Sequence, residues 1–486
     1  MINIPTLRIL SDADIARIHS TSVDILSNFG IVIEDETALT TLEQSGALVD
    51  SGKRLAKIPS DTLDHCLKKL PMSRTLAGRS KGNDLKIEPG RTYARCPSGL
   101  VRVIDSQSRQ CREGTTQDVK TVTRAQDALE NIGLCGNSPY PSDVPIEIRD
   151  ICQMKTILEN TEKHIRFAPL SGNSLPYIVK LAAAVVGGEW ELRRRPIVSC
   201  IVSPSSPLRY SREQIGAMAL CGRLGVPVML ASTPIVGATG PVTLAGSLVL
   251  QNAEILGGIV LCQVLNPGAP VAYGPRIPVM DMRTGLSAWG AVESGLAAAA
   301  AAQMGQLYEV ETDVHGPATD AKVLDEQAAI ERVDSAILPG LAGASIINGA
   351  GMLESNLSVS IEQLVIDDEL FGMMFRMLRG IEINETTMAK DIIGRVGPGG
   401  NFLIEKHTKE HYRAEHFLPQ LFDRTTRDIW EKAGSKDVVK VSKENANRLL
   451  REHEVPALDS GIAREMQAVL EDAKKSAGSL LTTSSI

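Results

Sequence analysis

The chain has 486 residues, of which 43% are hydrophobic and 22% charged, a composition typical of a globular protein and not of a disordered or collagen-like one. Its 51 Lys and Arg residues against 58 Asp and Glu residues give a net charge of −7, which argues against a surface built to follow nucleic acid phosphates. With three Trp, seven Tyr and seven Phe, the core must be mainly aliphatic. An aromatic residue near a functional loop is therefore more informative than usual.

The eight cysteines form no CxxC pair, which indicates free thiols in a reducing cytoplasm. The N-terminus lacks a basic stretch followed by an apolar run, so we expect no signal peptide. The most apolar segment, 242–265, is interrupted by Gln251, Asn252 and Glu254, which a membrane span would hardly place at mid-bilayer. These patterns favour a cytoplasmic protein that binds neither nucleic acid nor membrane.

The first 90 residues indicate a helical N-terminal extension. Apolar side chains recur at helical spacing in 11–29, where Ser11 is a candidate N-cap, and residues 60–70 form a second helical pattern. Short β-prone pieces follow between 91 and 105. We therefore place a helical extension at residues 1–90.

From about residue 117, short β-prone runs alternate with longer helical patterns. Strands are predicted at 132–135, 165–168, 197–202, 226–230, 271–273, 310–314 and 345–348, with helices at 146–159, 175–186, 212–224, 244–265, 290–307, 326–341 and 361–378. This alternation favours parallel strands joined by crossover helices. If segment 91–105 supplies an eighth strand, the fold class is an α/β (β/α)₈ TIM-type barrel at residues 91–380. A doubly wound sheet is the alternative.

Beyond residue 380 the alternation stops, and charged amphipathic patterns at 388–396, 402–422 and 443–453 predict a C-terminal helical cap and tail at 381–486. His407, Glu410 and His411 spell the H-x-x-E-H order of inverted zinc peptidases. The surrounding sequence is densely charged and lies outside the barrel, so we interpret it as a surface or cap helix. We predict no metal in this chain.

In a barrel of this kind, functional groups belong to the loops that follow the strands. Asp313 and His315 end one predicted strand, where they could serve as metal ligands, as acid and base, or as loop hydrogen-bonding groups. Tyr273 and Arg276 follow the preceding strand, where the guanidinium could bind a carboxylate or phosphate and the ring a cation. Structural roles for these two residues carry about equal weight.

Several segments resemble one known family. They are ATGPVTLAGSLVLQNAEILGGIVLCQVLNPGAPVAYG at 238–274, DAKVLDEQ at 320–327, GAGMLES at 349–355, QLVIDDE at 363–369 and HTKEHYRAEHFLPQLFDR at 407–424. In this order they resemble the trimethylamine methyltransferase family over most of the chain. The resemblance implies a barrel that transfers a methyl group from a methylated amine to the cob(I)alamin of a separate corrinoid protein.

The archetypal members of that family carry one pyrrolysine, whereas this chain contains only the twenty ordinary residues. The chain therefore resembles the non-pyrrolysine branch, which includes glycine betaine methyltransferases. This favours a quaternary amine such as glycine betaine as the methyl donor. Trimethylamine or another methylamine is the alternative substrate.

A quaternary ammonium already has a good leaving group, so the protein needs to hold the cation, aim one methyl and exclude water. The candidate catalytic residues are Asp313, His315 and Glu354, and the candidate substrate-binding residues are Tyr140, Tyr273, Arg276 and Asn348. By the resemblance, cobalamin is carried by the partner corrinoid protein and not bound permanently by this chain. We also expect a homo-oligomer.

Two other classes of function stay open at this stage. A different barrel chemistry, such as a lyase, could use His315 and Asp313 as acid and base. A catalytically silent relative could instead bind amines or a corrinoid protein without transferring a methyl group.

Overall fold

Eight parallel strands close a barrel in the computed structural model, which describes residues 2–3, 7–71 and 74–483. The strands are β1 (Tyr93–Arg95), β2 (Ile132–Gly136), β3 (His164–Phe167), β4 (Val198–Val202), β5 (Val228–Leu230), β6 (Val271–Tyr273), β7 (Glu311–His315) and β8 (Ile346–Asn348). Each strand pairs with the next along the chain, and β8 pairs with β1. The predicted (β/α)₈ barrel is confirmed, segment 91–105 supplies its first strand, and the doubly wound alternative is excluded.

The helices of the described residues surround this barrel and extend it at both ends of the chain. They are α1 (Asp12–Asn28), α2 (Glu36–Gln44), α3 (Ser60–Leu67), α4 (Thr116–Ala128), α5 (Arg149–Glu159), α6 (Leu175–Val186), α7 (Glu189–Arg194), α8 (Arg212–Leu224), α9 (Leu244–Leu265), α10 (Val292–Leu307), α11 (Glu326–Leu341), α12 (Ile361–Leu378), α13 (Glu385–Met388), α14 (Lys390–Val396), α15 (Lys406–Glu415), α16 (Arg427–Lys432), α17 (Val438–Glu452) and α18 (Ser460–Thr483). Many bounds coincide with the predicted ones because capping residues mark them. Ser11, for example, caps α1 with a capping box.

Short strands outside the barrel form separate small sheets. A four-stranded sheet contains Arg209–Tyr210, Ile31–Ile33, Leu55–Lys57 and Leu48–Asp50, and a second contains Met352–Leu353, Ser358–Val359, Arg102–Ile104 and Cys111–Glu113. Two-stranded pairs join Ile2–Asn3 to Ile381–Glu382, Arg74–Leu76 to Leu85–Ile87, and Val279–Asp281 to Leu286–Ala288. The last pair, which we call the β6 hairpin, follows strand β6 and stands at the carboxyl end of the barrel.

Helix α9 is the one helix in the described part of the chain that is long and apolar enough to cross a membrane. Most of it is buried inside the protein, 83% of its most apolar stretch, and it packs on β5, β6 and α1. Its buried carboxylate is paired: Glu254 accepts hydrogen bonds from the Ser206 hydroxyl and from the backbone N–H of Leu208, both at 2.9 Å. The helix is therefore part of the barrel's core.

Strand register determines which side chains line the barrel interior. Arg95 lies opposite Asn348, and Asn348 lies opposite His315 on the next strand. On the other side Arg166 lies opposite Ser199. Because side chains alternate along a strand, these polar residues share the inner face, whereas their neighbours in sequence face the surrounding helices.

The carboxyl ends of β7 and β8 are brought together by glycines that leave no room for a side chain. A Cβ on Gly349 would lie 2.2 Å from the carbonyl oxygen of Pro317, and one on Gly316 would lie 2.0 Å from that of Ser335. These contacts are to backbone atoms, which cannot rotate away. The loop after β8 is therefore packed directly on the loop after β7, and the loop after β7 is packed on α11.

We predict that Gly349→Ala lowers the free energy of unfolding by about 1–3 kcal/mol, because the added methyl group forces two loops apart. Chemical unfolding followed by circular dichroism measures this change.

The matched control is Gly216→Ala in α8, where a Cβ would meet nothing within 4 Å. Alanine has the higher helix propensity, so this variant should be as stable as the parent or more stable by up to about 1 kcal/mol. Equal stability of the two variants would contradict the close packing of the β7 and β8 loops.

Candidate active site

A single carboxylate, Asp313, lies at the centre of a group of three arginines inside the barrel. Its two oxygens accept hydrogen bonds from Arg95 Nε at 2.6 Å, Arg166 Nη1 at 2.7 Å and Arg276 Nη2 at 2.6 Å. A second carboxylate, Glu311, lies 2.6 Å from Arg166 Nη2. We call these five residues the arginine cluster. All are buried, and Arg276 is the most exposed of them with 7% of its side chain accessible.

Asp313 and the three arginines keep their charges despite burial. Burial by itself would raise the pKa of Asp313, but the adjacent guanidinium groups hold that pKa well below its ordinary value. Burial lowers the pKa of Arg95 to about 10, so this side chain stays protonated at neutral pH. Burial lowers the pKa of Arg276, and the charge of Asp313 opposes this shift.

Two histidines near the cluster are neutral. Burial lowers the pKa of His164 to about 3, and its ring contacts the carbonyl of Ala77 and the hydroxyl of Ser199. Burial and the neighbouring guanidinium groups hold the pKa of His315 well below its ordinary value. Since both histidines are neutral, the charges that remain are those of the three arginines and the two carboxylates. The barrel interior therefore carries one uncompensated positive charge.

His315 and Asn348 are buried polar residues without a partner among the described residues. Both ring nitrogens of His315 and the side-chain oxygen of Asn348 lack a hydrogen bond, although the two residues are only 7% and 6% exposed. They lie opposite one another on β7 and β8. Buried polar atoms are nearly always paired in folded proteins, so these atoms are available to a ligand or to water.

A small cavity adjoins His315 at the ends of β6 and β7. It measures about 10 Å³, enough for one water molecule, and its walls include Pro275, Ile277, Trp289 and Ala318. The ring centres of Trp289 and His315 are 4.4 Å apart. A larger ligand would need the surrounding loops to open.

The remaining predicted site residues lie apart from the arginine cluster. Tyr140 is buried in the loop after β2 and donates a hydrogen bond of 2.7 Å to the carbonyl of Ala168. Glu354 lies beside the four-stranded sheet that contains Arg102–Ile104 and Cys111–Glu113. Its carboxylate is 3.8 Å from Arg102 and 3.8 Å from the Cys111 thiol. The structure therefore brings together Asp313, His315, Arg276 and Asn348, and places Tyr140 and Glu354 in separate contacts.

Tyr273 points away from the barrel interior. It is fully buried between β6 and α9, where its hydroxyl donates to the side-chain oxygen of Asn252 at 2.9 Å. Alternation along β6 explains this placement, because Ala272 takes the inner face and Tyr273 the outer one. Tyr273 therefore does not contact the arginine cluster.

The H-x-x-E-H string lies on α15, outside the barrel, where Glu410 pairs with Lys406 at 3.2 Å. Within the described residues, no three His, Cys, Asp or Glu side chains come together as a group able to hold a metal ion.

Four residues of the site were not predicted from the sequence: Arg95, Arg166, Glu311 and Trp289. Arg95 and Arg166 occur in short β-prone runs, where an isolated arginine is usually a solvent-facing residue. The alternation of inner and outer positions across neighbouring strands could have identified both. Trp289 follows the β6 hairpin, sixteen residues beyond the end of β6, so its return to the barrel could not be read from its position.

The arrangement favours binding and orientation over proton transfer. Asp313 is ionised and fully bonded, and His315 is neutral. The uncompensated charge attracts an anionic group, whereas the apolar walls near Trp289 suit a group that carries methyls.

The sequence is similar to known proteins along almost its whole length. The profile of the trimethylamine methyltransferase (MTTB) family matches residues 1–478. The trimethylamine methyltransferase MttB of Desulfitobacterium hafniense (strain DSM 10664 / DCB-2) is 34% identical over 96% of this chain and 94% of its own. A glycine betaine methyltransferase from D. hafniense (strain Y51) is 31% identical over 98% of this chain and 99% of its own.

Among solved structures, the monomethylamine methyltransferase of Methanosarcina barkeri is similar, with a TM-score of 0.50 over 91% of this chain and 94% of that one. At 13% identity this likeness concerns the fold alone. Together with the matches along the whole sequence, these findings establish that the chain belongs to the trimethylamine methyltransferase family and is an enzyme of the methyltransferase class.

Proposed function

We propose that this enzyme demethylates a small quaternary amine that carries a carboxylate, with glycine betaine as the type substrate. The methyl group passes to the cob(I)alamin of a separate corrinoid protein. The C–N bond breaks with its electron pair on nitrogen, so a neutral tertiary amine leaves.

The observation that carries this proposal is the uncompensated positive charge of the arginine cluster. Three arginines face two carboxylates below the unpaired His315 and Asn348. A carboxylate is attracted to such a charge, whereas a lone trimethylammonium group is repelled. A zwitterion can place its carboxylate towards the cluster and its methyl groups towards the cavity beside Trp289. The sequence adds support, since it contains no pyrrolysine and is 31% identical to a glycine betaine methyltransferase.

The residues of this chain then act by binding and orientation. Arg276 attracts the carboxylate, and the ring N–H of the neutral His315 is free to donate a hydrogen bond to it. The unpaired side-chain oxygen of Asn348 is an acceptor, so Asn348 binds the carboxylate only through its amide N–H. Asp313 holds the three arginines in place and carries no proton during the reaction. The loops after β6 and β7 exclude water from the methyl that is transferred.

When bound to its carrier protein, cob(I)alamin supplies the nucleophile. The barrel edge at His315 and Asn348, where three buried polar atoms are unpaired, is the place where substrate and carrier would meet. All eight cysteines are free, which favours a cytoplasmic enzyme that meets its carrier there.

We predict methyl transfer from glycine betaine, and not from trimethylamine, when the purified enzyme is mixed with cob(I)alamin. Trimethylamine lacks the carboxylate that the cluster attracts, and its protonated form is a simple cation. The visible spectrum of methylcobalamin measures the transfer.

Choline is the matched control substrate, because it is quaternary but has no carboxylate. Transfer from trimethylamine or choline at a rate equal to that from glycine betaine would contradict the role of the cluster. Silence with every amine, both with free cob(I)alamin and with a corrinoid protein, would favour a relative that binds without catalysis.

We further predict that Arg276→Gln raises the KM for glycine betaine roughly 10- to 100-fold, because it removes a charged contact worth about 1.5–3 kcal/mol. The variant leaves two arginines against two carboxylates, so the site loses its excess charge. Arg276→Lys keeps the charge and should recover part of the lost affinity. Steady-state kinetics of methyl transfer gives KM and kcat separately.

Arg283→Gln is the control for this variant, since Arg283 lies on the β6 hairpin, is 89% exposed and pairs with Asp281. It should leave KM unchanged. An equal rise in KM for both glutamine variants would mean that surface charge, and not the buried cluster, controls binding.

A further inference from the structure

Trp289 is held at the carboxyl end of the barrel by its backbone. Its N–H donates to Asp320 Oδ1 at 2.9 Å, and the N–H of Gly290 donates to Asp320 Oδ2 at 3.1 Å. Both oxygens of one carboxylate thus bind two successive amides at the base of the β6 hairpin. The hydroxyl of Ser355, from the loop after β8, also donates to Asp320 Oδ1 at 2.6 Å.

Asp320 is itself fixed by the first turns of α11. Its own N–H donates to Glu331 Oε2 at 2.9 Å, and the Thr319 hydroxyl donates to the same oxygen at 2.6 Å. A Cβ on Gly290 would lie 2.3 Å from Glu331 Oε2, so this segment sits directly against the carboxylates. Asp320 therefore joins the three loops that follow β6, β7 and β8.

The indole of Trp289 is placed beside the unpaired His315. The two ring centres are 4.4 Å apart with their planes at 59°, and both rings line the same cavity. The other cavity walls are apolar or small side chains such as Pro278, Gly295 and Ala298. In a chain with three tryptophans, this is the one at the barrel mouth.

We propose that Trp289 is the residue that selects a quaternary ammonium group, and that Asp320 is the positioning residue that sets the orientation of its indole. The inference rests on the proposed function, which concerns the carboxylate of the substrate, and extends it to the quaternary ammonium group. The face of an indole attracts a cation within about 6 Å of the ring centre, and tryptophan does so most strongly of the aromatic residues. The substrate carboxylate lies towards Arg276 while its trimethylammonium group lies on Trp289.

Binding without methyl transfer tests this inference. The probes are glycine betaine and 3,3-dimethylbutanoate, which has the same shape and carboxylate but a carbon in place of the charged nitrogen. Titration calorimetry on the full-length enzyme, with no corrinoid protein present, gives the ratio of the two affinities. We expect the parent to prefer glycine betaine and Trp289→Leu to reduce that preference roughly 2- to 30-fold.

Asp320→Asn should reduce the same preference, because an amide group cannot accept from both backbone N–H groups. Trp289→Phe should keep part of the preference for glycine betaine, and it replaces Trp289→Leu in the test if the leucine variant does not fold. Asp325→Asn is the control in the same loop, since Asp325 caps α11 through Ala328 and asparagine caps equally well. Trp190→Leu, at a 72% exposed position, is the control for the loss of a tryptophan.

The inference would be overturned if Trp289→Leu left the preference for glycine betaine unchanged. If the leucine variant is unfolded, an unchanged preference in both Trp289→Phe and Asp320→Asn would overturn it. Equal loss in Asp325→Asn would show a general effect of the loop and overturn the role of Asp320. Preferential binding of glycine betaine without any methyl transfer would leave the inference intact and refute the proposed function. Methyl transfer from glycine betaine, together with an unchanged binding preference in the Trp289 variants, would support the proposed function and refute the inference.

Discussion

The ion pairs between Asp313 and three arginines are the constraint on which the site depends. They bring together side chains from β1, β3, β7 and the loop after β6 in the middle of the barrel. Burying so many charges is costly unless each is paired, and here the short contacts to Asp313 and Glu311 supply the pairing. Removing one partner would leave buried charge behind, so the cluster is a rigid element. Its excess charge is a fixed property of the barrel, present before any substrate arrives.

Much of the fold could be predicted from the sequence because the positions of helices and strands depend on patterns of neighbouring residues. The strand–helix alternation identified seven barrel strands and left segment 91–105 as the candidate for the eighth, and the bounds of α6, α8, α9, α11 and α12 coincide with their predicted ranges. Such bounds follow from caps and apolar spacing, which depend on neighbours in the chain. What could not be predicted is the direction of each side chain: Tyr273 ends β6 and Arg276 follows it, yet Tyr273 faces α9 and Arg276 faces the cluster. That difference depends on register between strands that are distant in sequence.

The candidate site was predicted in part for the same reason. His315 and Asn348 end their strands and Asp313 lies two residues before the end of β7, so position along the chain is enough to place them near the barrel mouth. Arg95 ends β1 and Arg166 lies within β3, and only their pairing across the barrel reveals that they contact Asp313. Trp289 reaches the mouth through hydrogen bonds from its backbone to Asp320, which no spacing in the sequence indicates. The most specific features of the site are thus the ones made by long-range contacts.

A crystal structure of the enzyme with glycine betaine tests the central claim most directly. We expect the carboxylate on the side of Arg276 and Asn348, and the trimethylammonium nitrogen within about 6 Å of the centre of the Trp289 indole. The loops around the present cavity of about 10 Å³ would have opened to admit it. A ligand in the reverse orientation, with its ammonium group towards the arginines, would contradict the claim that the excess buried charge directs substrate binding. A ligand bound outside the barrel would contradict it as well.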